Sequence, residues 1–249
     1  MAAVTDPLLL LVAAAYILAG LVKGVIGLGM PAIAMGVLAI AVAPVEAAAI
    51  LILPALVTNI WQMLAGPHFG SLVRRLWPML AGVVGGTLAG AGWLVAADPR
   101  FSTALLGVTV TLYGASGFWS VRMAVGPPSE RWLAPLAGGA TGLIGAATGV
   151  FVIPGVPYLQ AIGFEKDELV QGLGLFFTVS IVALGLNLAA ASALNWSHGP
   201  AAMVALAAAL AGMRLGQVLR ARLDPRTFQR IFFIGLIALG LYLVARAVA

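Results

Sequence analysis

Residues 8–42 form one apolar run, and its middle is interrupted in a way that no ordinary membrane helix tolerates. The interruption reads Gly20-Leu21-Val22-Lys23-Gly24-Val25-Ile26-Gly27-Leu28-Gly29-Met30-Pro31 and holds the only charge of the run. Gly20, Gly24 and Gly27 stand at i, i+4 and i+7, so a helix places them on one face, open to another backbone. Gly29, Met30 and Pro31 then end that helix, because proline lacks an N–H and its ring clashes with the preceding turn. The pattern returns 118 residues later as Gly138, Gly142 and Gly145, followed by a second break at Thr148-Gly149 and Pro154-Gly155-Val156-Pro157. Non-helical backbone at membrane depth survives only where protein buries it or a wet cavity meets it. Two broken segments at matching places in two halves therefore point to a transporter's binding site.

The chain is 62% hydrophobic and 8% charged over 249 residues. A soluble domain carries about 25% charged residues, so this chain belongs in a membrane. The apolar runs are continuous, whereas barrel strands alternate over ~10 residues, and the class is all-α. The net charge of +5 comes from single basic residues between apolar spans, which reads as topology control rather than nucleic-acid binding. Cysteine is absent, which excludes disulfides and thiol chemistry. No basic residue precedes the first apolar run, which argues against a cleavable signal peptide.

A span needs roughly 20 apolar residues. On that basis the first half (1–123) holds a broken segment at 8–42 and helices at 47–64, 76–96 and 103–121. The second half (124–249) holds a broken segment at 133–162 and helices at 169–194, 200–219 and 231–244. The halves look duplicated. Residues 41–60 align with 161–180 at an offset of 120, pairing Thr58 with Thr178. Gly82 and Gly86 pair with Gly212 and Gly216, and Asp98-Pro99-Arg100 pairs with Asp224-Pro225-Arg226. If all eight segments cross once, the basic residues split evenly between the two sides. If each broken segment is a hairpin, nine basic residues face one side and only Arg100 and Arg246 the other. The second arrangement obeys the positive-inside rule. It leaves three full spans per half, so the expected architecture is two inverted repeats, each a Gly/Pro-rich hairpin plus three transmembrane helices.

Lys23 is the sharpest candidate for ligand contact. A charge near the bilayer centre costs roughly 2.5–3.5 kcal/mol on insertion scales and is normally kept for a function. The bland alternative is a shallow hairpin from which Lys23 snorkels to the interface. Arg214 is similar but lies near a basic cluster. Thr58, Asn59 and Gln62 form a polar patch on the second segment, and Gln171, Thr178 and Ser180 lie on the related one. Most of these are expected to join helices to each other, with the repeat-matched Thr58 and Thr178 as the exceptions. The candidate site thus comprises Lys23, Gly24, Gly27, Gly29, Met30 and Thr58 from the first half. From the second come Gly142, Gly145, Thr148, Gly149 and Thr178. Free N–H groups where half-helices start would add partial positive charge for an anion.

No hydrolase, zinc-protease or phosphate-loop motif occurs, so neither an enzyme nor an ATP-driven pump is expected, and no cofactor or metal is implied. The glycine series Gly20, Gly24, Gly27 and Gly29 resembles the TauE/SafE sulfite exporter family of bacterial membrane proteins. So does the stretch from Ala140-Thr141-Gly142-Leu143-Ile144-Gly145 through Val152-Ile153-Pro154-Gly155-Val156-Pro157-Tyr158-Leu159. The likeness runs to the closing Asp224-Pro225-Arg226 element; the departure is Gly29-Met30-Pro31, where many members carry consecutive glycines. The resemblance implies a multi-pass inner- or plasma-membrane secondary transporter for sulfite, an organosulfonate or a similar small anion. Its partners would be that anion, a coupling ion where one is used, and the bilayer. The rival readings are a passive anion channel and a non-transporting membrane assembly subunit.

Overall fold

The computed structural model describes residues 7–118 and 124–249, and Arg122 and the last residues of the segment expected at 103–121 lie outside them. The first half contains α1 (Pro7–Ile26), α2 (Met30–Leu38), α3 (Pro44–Leu64), α4 (Phe69–Ala89), α5 (Trp93–Ala96) and α6 (Pro99–Ser116). The second contains α7 (Pro127–Thr148), α8 (Gly155–Ala161), α9 (Lys166–Ala190), a 3-10 turn at Trp196–His198, α10 (Gly199–Leu219) and α11 (Pro225–Val248). No strand occurs among the described residues. Among the described residues six stretches are long and apolar enough to cross a membrane: α1, α3, Phe69–Ala96, α9, α10 and α11. α6 and α7 fall outside that set because α6 carries Arg100 and several hydroxyls and α7 begins Pro127-Pro128-Ser129-Glu130-Arg131.

Both expected breaks are present, and the first is built differently from the expectation. Pro31 does not end α1. It lies in the first turn of α2, where a missing N–H costs nothing and the fixed φ suits a helix start. α1 ends instead because Gly27 and Gly29 take φ of +81° and +96°, a region that residues with a Cβ rarely enter. In the second half Gly149 takes φ +73° and its N–H closes α7 on the Gly145 carbonyl at 2.8 Å, a left-handed helix cap. The matching Asp-Pro-Arg elements both start helices. Asp98 accepts from the Arg100 N–H at 2.7 Å and Asp224 from the Thr227 N–H at 2.9 Å.

Glycine seams hold the halves together. A Cβ on Gly20 or Gly24 would strike the Ala209 or Met213 carbonyl of α10, and one on Gly212 or Gly216 would strike Ile17 or Leu21 of α1. The other seam repeats this: Gly138 and Gly142 of α7 lie on Met79 and Val83 of α4, while Gly82 and Gly86 lie on Pro135 and Gly139. Lipid supplies no hydrophobic drive for helix association, so such close backbone approach is the main source of packing energy. Gly27 and Gly145, expected on the same seams, are not there. Gly27 meets only Val170 at ordinary distance, and Gly145 meets the Phe151 ring of its own half. At Gly27 the chain has already left the helix, whereas Gly145 is still within α7, on a face turned toward Phe151.

The contacts fix the helix directions. Along the α1/α10 and α4/α7 seams, residue numbers rise together, so these pairs are parallel. α3 and α9 are antiparallel, since Gln62 bonds to Val170 while Gly185 meets Ile52. α6 and α11 are also antiparallel, with Gly107 against Gly240 and Gly114 against Phe233. α2 runs beside α11, Gly29 at Phe232 and Gly36 at Leu239, and so turns back on α1. α8 turns back on α7, and the Val125 N–H ahead of α7 donates to the Ala161 carbonyl at 2.9 Å. Arg74, Arg75, Arg131, Lys166, Arg220, Arg222, Arg226 and Arg230 consequently gather at one end of the molecule. Arg100 and Arg246 lie at the other. α9 is the most buried of the long helices and α11 the least.

Filling a seam should therefore unfold the protein, and filling open space should not. Gly24→Leu and Gly142→Leu are expected to cut the yield of monodisperse protein and lower Tm, whereas Gly85→Leu and Gly235→Leu, with nothing within 4 Å of the added carbon, should match wild type. Size-exclusion profiles and thermal melts of the four variants read this directly.

Candidate anion site

Lys23 lies one turn before the end of α1, where Gly24 presses the helix onto α10. The residue is 5% exposed, so the snorkelling alternative does not describe it. The ammonium donates to Thr58 Oγ1 at 3.1 Å and to Asn59 Oδ1, both on α3. Thr58 is oriented for this because its hydroxyl proton goes to the Pro54 carbonyl at 2.8 Å, leaving a lone pair for Lys23. Met30, at the start of α2, touches the same hydroxyl with Sδ at 3.7 Å. The first break thus brings α1, α2 and α3 together around one ammonium.

That ammonium has no carboxylate partner. The ion pairs among the described residues are His68–Glu168 and Arg75–Glu130, both elsewhere. Lys23 instead lies at the wall of a cavity of about 350 Å³ that opens toward the basic end. Its polar lining is Thr58, Gln62, Gln160, Gln217 and Gln229, its other cations are Lys166 and Arg220, and no Asp or Glu lines it. A buried charge is stable only when paired or hydrogen-bonded, and two neutral oxygens supply no counter-charge. The cavity is thus acid-free and amide-rich, and it ends on an ammonium that lacks a counter-charge.

Gln62 shapes this cavity. Its amide donates to the Gly27 carbonyl at 3.0 Å and to the Val170 carbonyl at 2.7 Å, tying the first break to the start of α9. Gln171 does the same in the other direction, donating to the Met63 and Gly66 carbonyls at 2.8 and 2.7 Å. Both are the helix-joining polar residues that a bilayer favours.

The expected site residues divide by half. Lys23, Gly24, Gly27 and Thr58 line the cavity, Met30 backs Thr58, and Gly29 faces Phe232 of α11. The second-half set does not reach it. Thr178 donates to its own Gly174 carbonyl at 2.7 Å, and Thr148 to Ile144 at 2.8 Å while accepting from the Val150 N–H. Gly142 is in its seam, Gly145 meets Phe151, and Gly149 rests on Met35 of α2 and Ala48 of α3. Arg214 is exposed on α10 and is not part of the wall. Sequence reading missed Gln160, Gln217 and Gln229 because each lies on an element that only the folded chain brings to Lys23. It undervalued Asn59, whose one-residue offset from Thr58 lets both oxygens face α1.

No curated protein and no solved structure matches the chain. Residues 12–243 match the family described as sulfite exporter TauE/SafE. The matched stretch runs from the second turn of α1 to the last turns of α11 and takes in both breaks and every wall of the cavity. The chain is therefore a multi-pass membrane protein of the sulfite exporter TauE/SafE family.

Proposed function

We propose that the chain is a secondary transporter that carries a small sulfur-containing anion, sulfite or an organosulfonate, across the inner membrane by alternating access. One observation carries this reading: the Lys23 ammonium, 5% exposed, has only neutral partners and borders a cavity that no acid lines. An incoming oxyanion takes the free N–H of Lys23, and the amides of Gln160, Gln217 and Gln229 supply neutral donors around it. Lys166 and Arg220 at the mouth raise the local anion concentration. The volume, about 350 Å³, is in the usual range for small-ligand sites.

Alternating access is supported by the way the halves exchange partners. The first helix of each half packs along a parallel seam on the third long helix of the other, and the remaining pairs are antiparallel, as inversion requires. On this reading the state open to the opposite end forms when the second half takes the shape of the first. Thr148, Gly149 and Thr178 then face the anion, with Gly142 and Gly145 in the places that Gly24 and Gly27 hold here. The basic end is cytoplasmic by the positive-inside rule. A passive channel fits less well, because α2 fills the path beyond Thr58 and its residues from Met30 to Gly36 are all buried.

The Lys23 series tests the site. Lys23→Ala should lose a charge-assisted hydrogen bond worth about 1.5–3 kcal/mol, roughly one to two decades of affinity for sulfite or sulfoacetate. Lys23→Arg should keep part of it, since charge remains but the planar fork fits differently, and Lys23→Glu should bind no anion. Calorimetry on purified, folded variants measures this; wild-type affinity in Lys23→Ala would remove the lysine from the site. Wild-type protein that binds no sulfur oxyanion would favour the assembly-subunit reading.

Orientation is tested separately in the cysteine-free chain. Single cysteines at Arg131 and Arg222 should be shielded from an impermeant thiol reagent in intact cells, and those at His198 and Ala249 labelled. Labelling at 222 without labelling at 198 would reverse the assignment.

A further inference from the structure

Arg100 and Arg246 are the only described Lys or Arg residues at the end of the molecule away from the basic cluster. They are far apart in sequence, one in the first turn of α6 and the other in the last turn of α11, yet both line one cavity of about 350 Å³. The rest of its wall is largely apolar: Ala39, Val42, Pro44 and the Thr103 region. We propose that this cavity is a second oxyanion site, taking a sulfonate- or phosphate-type group at the face opposite the Lys23 cavity.

Two like charges lining one cavity repel each other, less strongly where both are exposed as here, and an anion between them relieves that repulsion. Nothing in the described protein fills that role. Of the nearby acids, neither Asp98, which caps the Arg100 backbone N–H at 2.7 Å, nor Glu46 is part of the wall. Neither is ion-paired with an arginine there, since the ion pairs among the described residues involve His68 and Arg75. Thr103 has turned its hydroxyl proton onto the Pro99 carbonyl at 2.7 Å.

The two arginines also divide the work of a binding site. Arg246 is held in place, because one of its terminal nitrogens donates to the carbonyls of Ala39 and Ile40 just past the end of α2. That anchors the guanidinium and leaves its remaining N–H groups for a ligand. The Arg100 side chain makes no hydrogen bond or ion pair with the described residues and is exposed at the rim. A fixed and a free guanidinium on one cavity suit an oxyanion, which accepts paired N–H bonds from each fork. Two sources present this chemistry at a membrane face: a free sulfonate or sulfite in the medium, and the phosphodiester headgroup of a lipid. The proposal is independent of what Lys23 does.

Arg100→Gln is the informative variant, since its side chain supports no other part of the fold; Arg100→Lys keeps the charge without the fork. Full-length protein in neutral detergent would be titrated with methanesulfonate by calorimetry, in the wild-type and Lys23→Ala backgrounds, so that the Lys23 cavity's share is removed. Retention of phosphatidylglycerol would be counted by native mass spectrometry on the same preparations, with Tm as the check on folding. Arg100→Gln should weaken one of the two probes by about tenfold, the effect of losing one charge-assisted contact, with Arg100→Lys in between. Loss of methanesulfonate binding assigns a free anion, and loss of phosphatidylglycerol assigns the headgroup; either supports the site. An Arg100→Gln protein of normal Tm that binds both probes as wild type does would overturn it. An effect of Arg100→Gln with none from Lys23→Ala would leave this site standing and remove the Lys23 reading.

Discussion

In a bilayer the lipid tails are as apolar as leucine, so the hydrophobic effect cannot tell one helix pairing from another. Backbone-to-backbone contact can, and this protein depends on two such seams. Gly20 and Gly24 interlock with Gly212 and Gly216, and Gly138 and Gly142 with Gly82 and Gly86. Each seam joins opposite halves, so neither half is complete alone. The seams also set the depth of the breaks, because α1 and α7 are rigid along their glycine faces and are released only past the last close contact.

Site chemistry follows from that release. Where α1 leaves its seam, Gly27 and Gly29 turn the chain, α2 returns through the interior, and Lys23 is left facing α3 rather than lipid. Thr58 and Asn59 then hold an ammonium whose burial would otherwise be costly, and Gln62 keeps the turn attached to α9. The second half turns later, at Gly149 after α7 has run to Thr148, and it has Thr141 in the place of the lysine, at the repeat's offset of 118, with its hydroxyl returned to its own Ala137 carbonyl. The two breaks thus differ in backbone as well as in charge.

Glycine and proline made much of this legible from the residues alone. Their spacing marks seams and breaks whatever surrounds them, and the scarcity of charge inside apolar runs singles out Lys23. What periodicity could not separate was a glycine needed for contact from one needed for its φ. Gly27 and Gly145 continue the i, i+4, i+7 series, yet Gly27 is a turn residue and Gly145 makes room for Phe151. Pro31 was misread for a related reason, since proline ends one helix and begins the next equally well. The glutamines of the cavity wall come from α8, α10 and α11, and no local pattern connects them with α1. Arg100 and Arg246 stood out by sequence only as exceptions to a charge bias, and folding brings them to one cavity.

An anion held by the Lys23 ammonium at the end of an acid-free cavity would be visible directly. Selenite, the heavier homologue of sulfite, gives an anomalous signal that locates the bound ion without prior assumption. A crystal of the chain soaked in selenite should show its peak within hydrogen-bonding distance of Lys23 Nζ, on the side away from Thr58 and Asn59. A selenite peak elsewhere in the molecule, with none at Lys23, would contradict the Lys23 site.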